Sequence, residues 1–98
     1  MIYVVDLDGT LNIHDEYIKY DEEEYMNAKP RQDIINKINK LKLAGHTIII
    51  YTARFCMHYD ITKKWLDKHN VLYDRIITEK EFANIYVDDR AIRPEELK

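Results

Sequence analysis

Apolar and polar residues along the chain fall into short blocks of alternating period. Met1 to Asp6 (MIYVVD) is a β-branched and aromatic run ending in a carboxylate, the pattern of a buried parallel strand. The GTLN that follows is turn-like. A polar, acidic stretch from His14 to Glu24, with Tyr17, Ile18, Tyr20 and Tyr25 mixed in, reads as a flap or long loop with room for a short hairpin. Pro30 opens a helix in which Ile34, Ile35, Ile38 and Leu41 recur at three- and four-residue spacing, giving one apolar face. Leu43 lies off that spacing and is expected to pack at the helix end, where Gly45 stops it. His46 to Tyr51 (HTIIIY) is a second strand. A second helix over Tyr59 to His69 turns Ile61, Trp65 and Leu66 to the core and stops at Asn70. Tyr73 to Ile77 supplies a short third strand, and Asn84 to Val87 (NIYV) a fourth that ends in Asp88 and Asp89.

Alternation of this kind predicts an α/β fold: a Rossmann-like open, mainly parallel sheet of about four strands with flanking helices. In open sheets of this type, ligands bind beyond the carboxyl ends of the strands. Three of the four predicted strands end in reactive side chains, so the chemistry is expected at that edge.

Composition narrows the class. Apolar residues at 46% and charged residues at 34% of 98 positions indicate one folded domain over residues 1–98. No apolar run approaches the length of a membrane span, and the start lacks a basic segment followed by an apolar one. The expectation is therefore a cytoplasmic protein without a membrane partner. Cys56 is the only cysteine, which excludes an internal disulfide and a cysteine-based zinc cluster. A net charge of −3 shows no basic stripe and argues against a nucleic-acid partner. A small phosphate ester remains a fitting ligand, because a bound cation would reverse the sign of the field in the pocket.

The candidate chemistry begins at Asp6-Leu7-Asp8-Gly9-Thr10. Carboxylates at i and i+2 past a strand end can project into one site while Leu7 turns into the core, and Gly9 permits the tight path after them. Different surroundings would let one stay ionised as a nucleophile and the other hold a proton as general acid. Phosphate-monoester hydrolysis is very slow unaided, so such a site must neutralise charge and align an in-line attack. Asp88 and Asp89 can hold magnesium, a hard cation that prefers oxygen. Thr52 offers a hydroxyl donor, Lys80 a point positive charge, and the main-chain N–H groups after Asp6, beginning with Leu7, a cradle for the phosphoryl group.

These residues resemble the four motifs of the haloacid dehalogenase superfamily, in order. DLDGT (Asp6 to Thr10) resembles the first, YTAR (Tyr51 to Arg54) the second through Thr52, Lys80 the third and VDD (Val87 to Asp89) the fourth. The likeness spans about residues 1–93. YMNAKP (Tyr25 to Pro30), GHTIIIYTAR and NIYVDDRAI further resemble small bacterial or phage capsule-biosynthesis-type phosphatases. The resemblance implies an aspartyl-phosphate on Asp6, with Asp8 protonating the leaving group and then activating water. It also implies magnesium on the Asp6 carboxylate, the Asp8 main-chain carbonyl and Asp88, with Asp89 acting around that site or through water. Thr52 and Lys80 would bind the phosphoryl oxygens, and Ala53 and Arg54 share their loop as further phosphate- or substrate-binding positions. The gaps between motifs leave no room for a cap domain of ordinary size, so the core is expected to be capless. An open site of this kind could be roofed by a second protomer.

Other residues carry weaker signals. Arg54 could contact substrate or pair with a nearby acid. His14 lies where the flap should approach the pocket, and Cys56 and His58 share the loop after Thr52. The acidic run Asp21 to Glu24 reads as a solvated face. A receiver-like signalling module also uses acids, a Thr and a Lys, but there the acidic pair follows the first strand; here it follows the last, which favours a hydrolase. The expected substrate is a small phosphorylated metabolite such as a sugar phosphate. A phosphatase for nucleic-acid ends or other bulky substrates, and a non-catalytic phosphate-binding relic, are the alternatives.

Overall fold

The computed structural model describes residues 1–13 and 21–98; His14 and the rest of the predicted flap through Tyr20 lie outside the described residues. Strand β1 (Ile2–Val5) is followed by helix α1 (Glu22–Asn27), helix α2 (Gln32–Leu43), strand β2 (Thr47–Tyr51), helix α3 (Tyr59–Lys68) and strand β3 (Arg75–Ile77). The three strands form one parallel sheet in the order β1-β2-β3. Ile2 lies opposite Thr47 and Val5 opposite Ile50, while Ile49 to Tyr51 pair with Arg75 to Ile77. This is the α/β architecture with a parallel sheet and flanking helices that the strand–helix alternation predicts.

The apolar periodicity translates directly into packing. Ile34, Ile35 and Ile38 of α2 and Thr62, Trp65 and Leu66 of α3 are buried, and Leu41 packs partly against the same core. Ile48 and Ile50 of β2 are fully enclosed, and Val5, Leu7, Leu11, Val71 and Ile76 complete the cluster. Gly45, at φ +98°, takes the left-handed position beyond the α2 cap, and its N–H donates to the Lys42 carbonyl. Asn70, at φ +56°, does the same job after α3.

Three expectations need correction. Asn84–Val87 is not a strand, and the sheet has three strands among the described residues rather than four. β propensity expresses how well a side chain fits a pleated, half-buried surface. Here Ile85, Tyr86 and Val87 are exposed, Val87 at 97%, so the segment finds no such surface. For the same reason β1 is not a buried strand. It lies at the sheet edge, with Ile2 and Val4 exposed at 69% and 59%. Leu43 is exposed rather than packed, because the α2 face toward the core ends with Leu41. Asp21 to Glu23 are exposed, as a solvated face would be, and the run also starts a helix. The Asp21 carboxylate accepts the Glu24 N–H at 2.8 Å and caps α1, whose first turn carries three glutamates that suit the positive end of the helix dipole.

The start of β3 is held by a side chain in place of a ladder. Asp74 accepts the Ile48 N–H at 2.7 Å and the Lys42 ammonium at 2.9 Å, while its own N–H donates to the Ile48 carbonyl. The Lys42 contact, and then the Ile48 N–H, hold this carboxyl below its ordinary value of 3.8. A depressed carboxyl stabilises the fold above its unfolded value and loses that contribution as pH falls through its folded value. Asp74→Asn should therefore lower Tm at pH 7, and the difference from the parent should close below about pH 4 in thermal melts across pH.

Candidate active site

β1 ends at Val5 and delivers Asp6 and Asp8 to the carboxyl edge of the sheet. Between them Leu7 turns inward and is fully buried, anchoring the loop in the core. The Leu7 carbonyl accepts the N–H groups of Thr10, Leu11 and Asn12, which winds the chain into a tight turn. Gly9, at φ +85°, supplies the left-handed residue this turn requires. The Asn12 side chain, 1% exposed, closes it by accepting the Gly9 N–H and donating to Asp8 Oδ1, both at 2.9 Å.

The second cluster comes from the end of β2 and the loop after β3, which are clipped together through their main chains. The Thr52 N–H donates to the Ile77 carbonyl, Glu79 N–H to the Arg54 carbonyl, and Lys80 N–H to the Thr52 carbonyl, at 2.9–3.0 Å. Glu79 adopts φ +65° to make this possible, a left-handed conformation that costs a non-glycine residue energy. The result is that Lys80 Nζ stands 3.9 Å from Asp6 Oδ1, with the rings of Tyr86 and Tyr51 beneath it at 4.5 and 5.4 Å. Lys80 therefore sits in the site although its TEKEF surroundings carry no obvious structural signal.

Asp6 is bonded by its neighbours as well. Oδ2 accepts the Thr10 hydroxyl at 3.3 Å, and the Leu7 N–H also bonds the carboxylate. Burial pushes the Asp6 carboxyl above its ordinary value, and the Lys80 ammonium only partly offsets it. A partly desolvated carboxylate next to one cation has a standing demand for further positive charge.

Arg54 departs from the substrate-contact reading. Its side chain is buried, and its Nε and one terminal nitrogen donate to the two Asp8 oxygens at 3.0 and 2.8 Å. The other terminal nitrogen donates to the Thr62 hydroxyl at 3.1 Å, and the guanidinium lies 3.7 Å from the centre of the Tyr25 ring. The acid-pairing alternative is the one the structure shows. Thr52 is buried, with its hydroxyl oxygen accepting the Arg54 N–H at 3.2 Å, and Ala53 is half-buried between the two.

Of the remaining candidates, Cys56 is exposed on a short 3-10 turn, Cys56–His58. His58 packs edge-on against Tyr25 and stands 3.5 Å from the Glu22 carboxylate without bonding it. It belongs to the α1–α3 contact and not to the pocket. Asn12, Tyr25 and Thr62 are the residues that sequence reasoning missed. The turn chemistry of GTLN pointed to Asn12, but nothing in the spacing pointed to the other two. A cleft of about 760 Å³ between α3 and the end of α2 is lined by none of the motif residues.

The oxygen donors of Asp6 and Asp8 suit a hard cation, and burial of Asp6 favours one. Asp88 and Asp89, however, are exposed, and Asp88 Oδ1 accepts the Arg90 N–H at 2.8 Å. Among the described residues no three acids, histidines or cysteines are gathered to hold a metal ion. The structure thus unites Asp6, Asp8, Thr52, Arg54 and Lys80 but does not add the acids of the fourth motif to them.

Residues 1–93 match the model of the polynucleotide kinase PNKP phosphatase domain, a haloacid dehalogenase-type domain. The chain belongs to that family. As a member it is a phosphatase, a phosphoric monoester hydrolase of the haloacid dehalogenase superfamily. A structural-genomics target from Vibrio cholerae is 36% identical to this phosphatase, with a TM-score of 0.80 over 98% of this chain and 85% of that one. A chain of a Pnkp1/Rnl/Hen1 complex matches at 22% identity and TM-score 0.70, over 96% of this phosphatase but 32% of its own length. The D,D-heptose 1,7-bisphosphate phosphatase of B. bronchiseptica, solved with magnesium and phosphate, matches at 17% identity and TM-score 0.55, over 92% and 53%. The last two likenesses speak for the fold. Among curated proteins none matches the sequence. No described helix is long and apolar enough to cross a membrane.

Proposed function

We propose that this phosphatase cleaves phosphate monoesters through an aspartyl-phosphate on Asp6, with Asp8 as general acid and base. The observation that carries the reading is the pairing at the strand ends: the Asp6 carboxylate faces the Lys80 ammonium at 3.9 Å, two residues before a carboxyl held by its own arginine. One carboxylate is thus left to attack phosphorus while the other is held to move protons. In the first step an Asp6 oxygen bonds to phosphorus as the bond to the leaving oxygen breaks, and that oxygen takes a proton from Asp8. In the second, Asp8 takes a proton from water, the water oxygen bonds to phosphorus, and the electrons of the phosphorus–oxygen bond return to Asp6. Lys80, Thr52 and the main-chain N–H groups of Leu7 and Ala53 would receive the phosphoryl oxygens.

Enzymes of this superfamily generally use magnesium. In this chain the Asp6 carboxylate and the Asp8 carbonyl would hold it, and its charge would offset that of the phosphoryl oxygens; Asp88 and Asp89, the other acids the motif pattern offers, are not gathered with them among the described residues.

For the substrate, the resemblance to capsule-biosynthesis-type phosphatases supports a small phosphorylated metabolite such as a sugar phosphate, and the net charge of −3 weighs against a polyanion. The family match favours a nucleic-acid end, and this is the second reading. A phosphate-release panel with magnesium, setting sugar phosphates against 3′- and 5′-phosphorylated oligonucleotides, decides between them. A higher kcat/KM for sugar phosphates is expected; a preference for oligonucleotide ends would overturn the metabolite reading. No release from any monoester would sink both.

A further inference from the structure

A guanidinium group is flat, and this one is constrained in its plane and on a face. In the plane, Arg54 meets both Asp8 oxygens and the Thr62 hydroxyl; across the face lies the Tyr25 ring at 3.7 Å. The four residues come from four places: the loop after β1, helix α1, the loop after β2 and helix α3. Tyr25 is 4% exposed and Thr62 is fully buried, so neither is placed to meet substrate. From this geometry we infer that Tyr25 and Thr62 are positioning residues for proton transfer, acting through Arg54 to set the plane of the Asp8 carboxyl.

The inference rests on the proposed roles of Asp6 and Asp8. The Asn12 amide donates to Asp8 Oδ1 only, and a bond to one oxygen would let the carboxyl swing about it away from the leaving oxygen. The fork leaves one orientation, since both oxygens are engaged at once, and each keeps a lone pair for the fork whether or not the group carries a proton. The fork is itself free to tilt unless something fixes it. Thr62 sets its rotation in the plane and Tyr25 prevents it from lifting out. Helix α1, which lies in the gap between the first motif and α2, is then part of the catalytic support rather than a mere cover.

The test separates proton delivery from phosphoryl binding by the leaving group. An alkyl phosphate needs its departing oxygen protonated, whereas p-nitrophenyl phosphate releases a stable anion and needs little help. Tyr25→Leu and Thr62→Val are each expected to lower kcat for glycerol phosphate by about tenfold or more, a size typical of small misplacements of catalytic groups. For p-nitrophenyl phosphate the loss should be under about threefold, and Tyr25→Phe, which keeps the ring face, should restore the alkyl rate. Equal losses on both substrates, or no loss on either, would overturn the inference. Thr62→Val, nearly the same size as the parent, keeps the test open if Tyr25→Leu fails to fold.

A second readout needs no turnover. In Asp6→Asn the Arg54 Nε–H should give a slowly exchanging NMR signal, and adding Tyr25→Leu should accelerate its exchange. Unchanged exchange would refute the clamp even in an active enzyme. Absence of release by the unaltered protein, with the signal behaving as described, would instead fault the catalytic reading and with it the role given to the clamp.

Discussion

Asp6→Asn is expected to abolish phosphate release, with kcat falling by at least about 10³-fold on every substrate the parent accepts, the scale seen when a covalent nucleophile is removed. The replacement is nearly isosteric and keeps an oxygen to accept the Thr10 hydroxyl and the Leu7 N–H, so the loss would report chemistry and not misfolding. Stability supplies the internal control. Burial raises the Asp6 carboxyl above 3.8 despite the nearby Lys80, so the fold favours the neutral form. A raised carboxyl contributes stability below its unfolded value and loses it as pH rises through its folded value. At pH 7 the parent therefore bears the cost of an ionised, partly desolvated Asp6 that Asn does not. The variant should melt later than the parent at pH 7, and this advantage should vanish at about pH 4 and below. Phosphate release within tenfold of the parent would remove Asp6 from the mechanism.

The second large effect is on the fold. Trp65 is fully buried in α3, and its indole N–H donates to the Ala28 carbonyl at 2.9 Å. Trp65→Ala should cost about 3–5 kcal/mol for the lost side chain and the space it leaves. Leaving the Ala28 carbonyl without that donor adds roughly 1 kcal/mol. Domains of this size have about 5–15 kcal/mol in all, so the variant should lose a large part of its stability, and urea melts should show the midpoint moving well below that of the parent. Trp65→Phe, which keeps most of the volume and loses the hydrogen bond, should lie much nearer the parent. Equal midpoints for Trp65→Ala and the parent would show that the buried indole does not hold α3 in the core.

The legible parts of this chain share a property: each depends on neighbours close in sequence. Ile34, Ile35 and Ile38 repeat with the period of a helix, so the buried face of α2 is readable without coordinates. Asp6 and Asp8 follow an extended run and precede a glycine, so their projection from a strand end is readable too. Helix α1 could have been read from Asp21 followed by three glutamates, a cap and dipole signal that the neighbouring tyrosines and the general acidity obscured. Asn84–Val87 failed for the opposite reason. Its residue types favour a strand, but a strand exists only when another strand accepts its hydrogen bonds, and that is settled far away in the chain.

Order, period and residue type thus determined the α/β plan, the helix faces and the inventory of acids, hydroxyl and lysine. Tertiary structure decided the alliances among them. Arg54 lies 46 positions from the Asp8 it holds, and Lys80 reaches Asp6 only because three main-chain bonds clip its loop to Thr52 and Arg54. A local pattern can tell which charges a chain carries. Which of them meet depends on how the strands stack and the loops close, because electrostatic attraction acts through space and leaves no period along the chain.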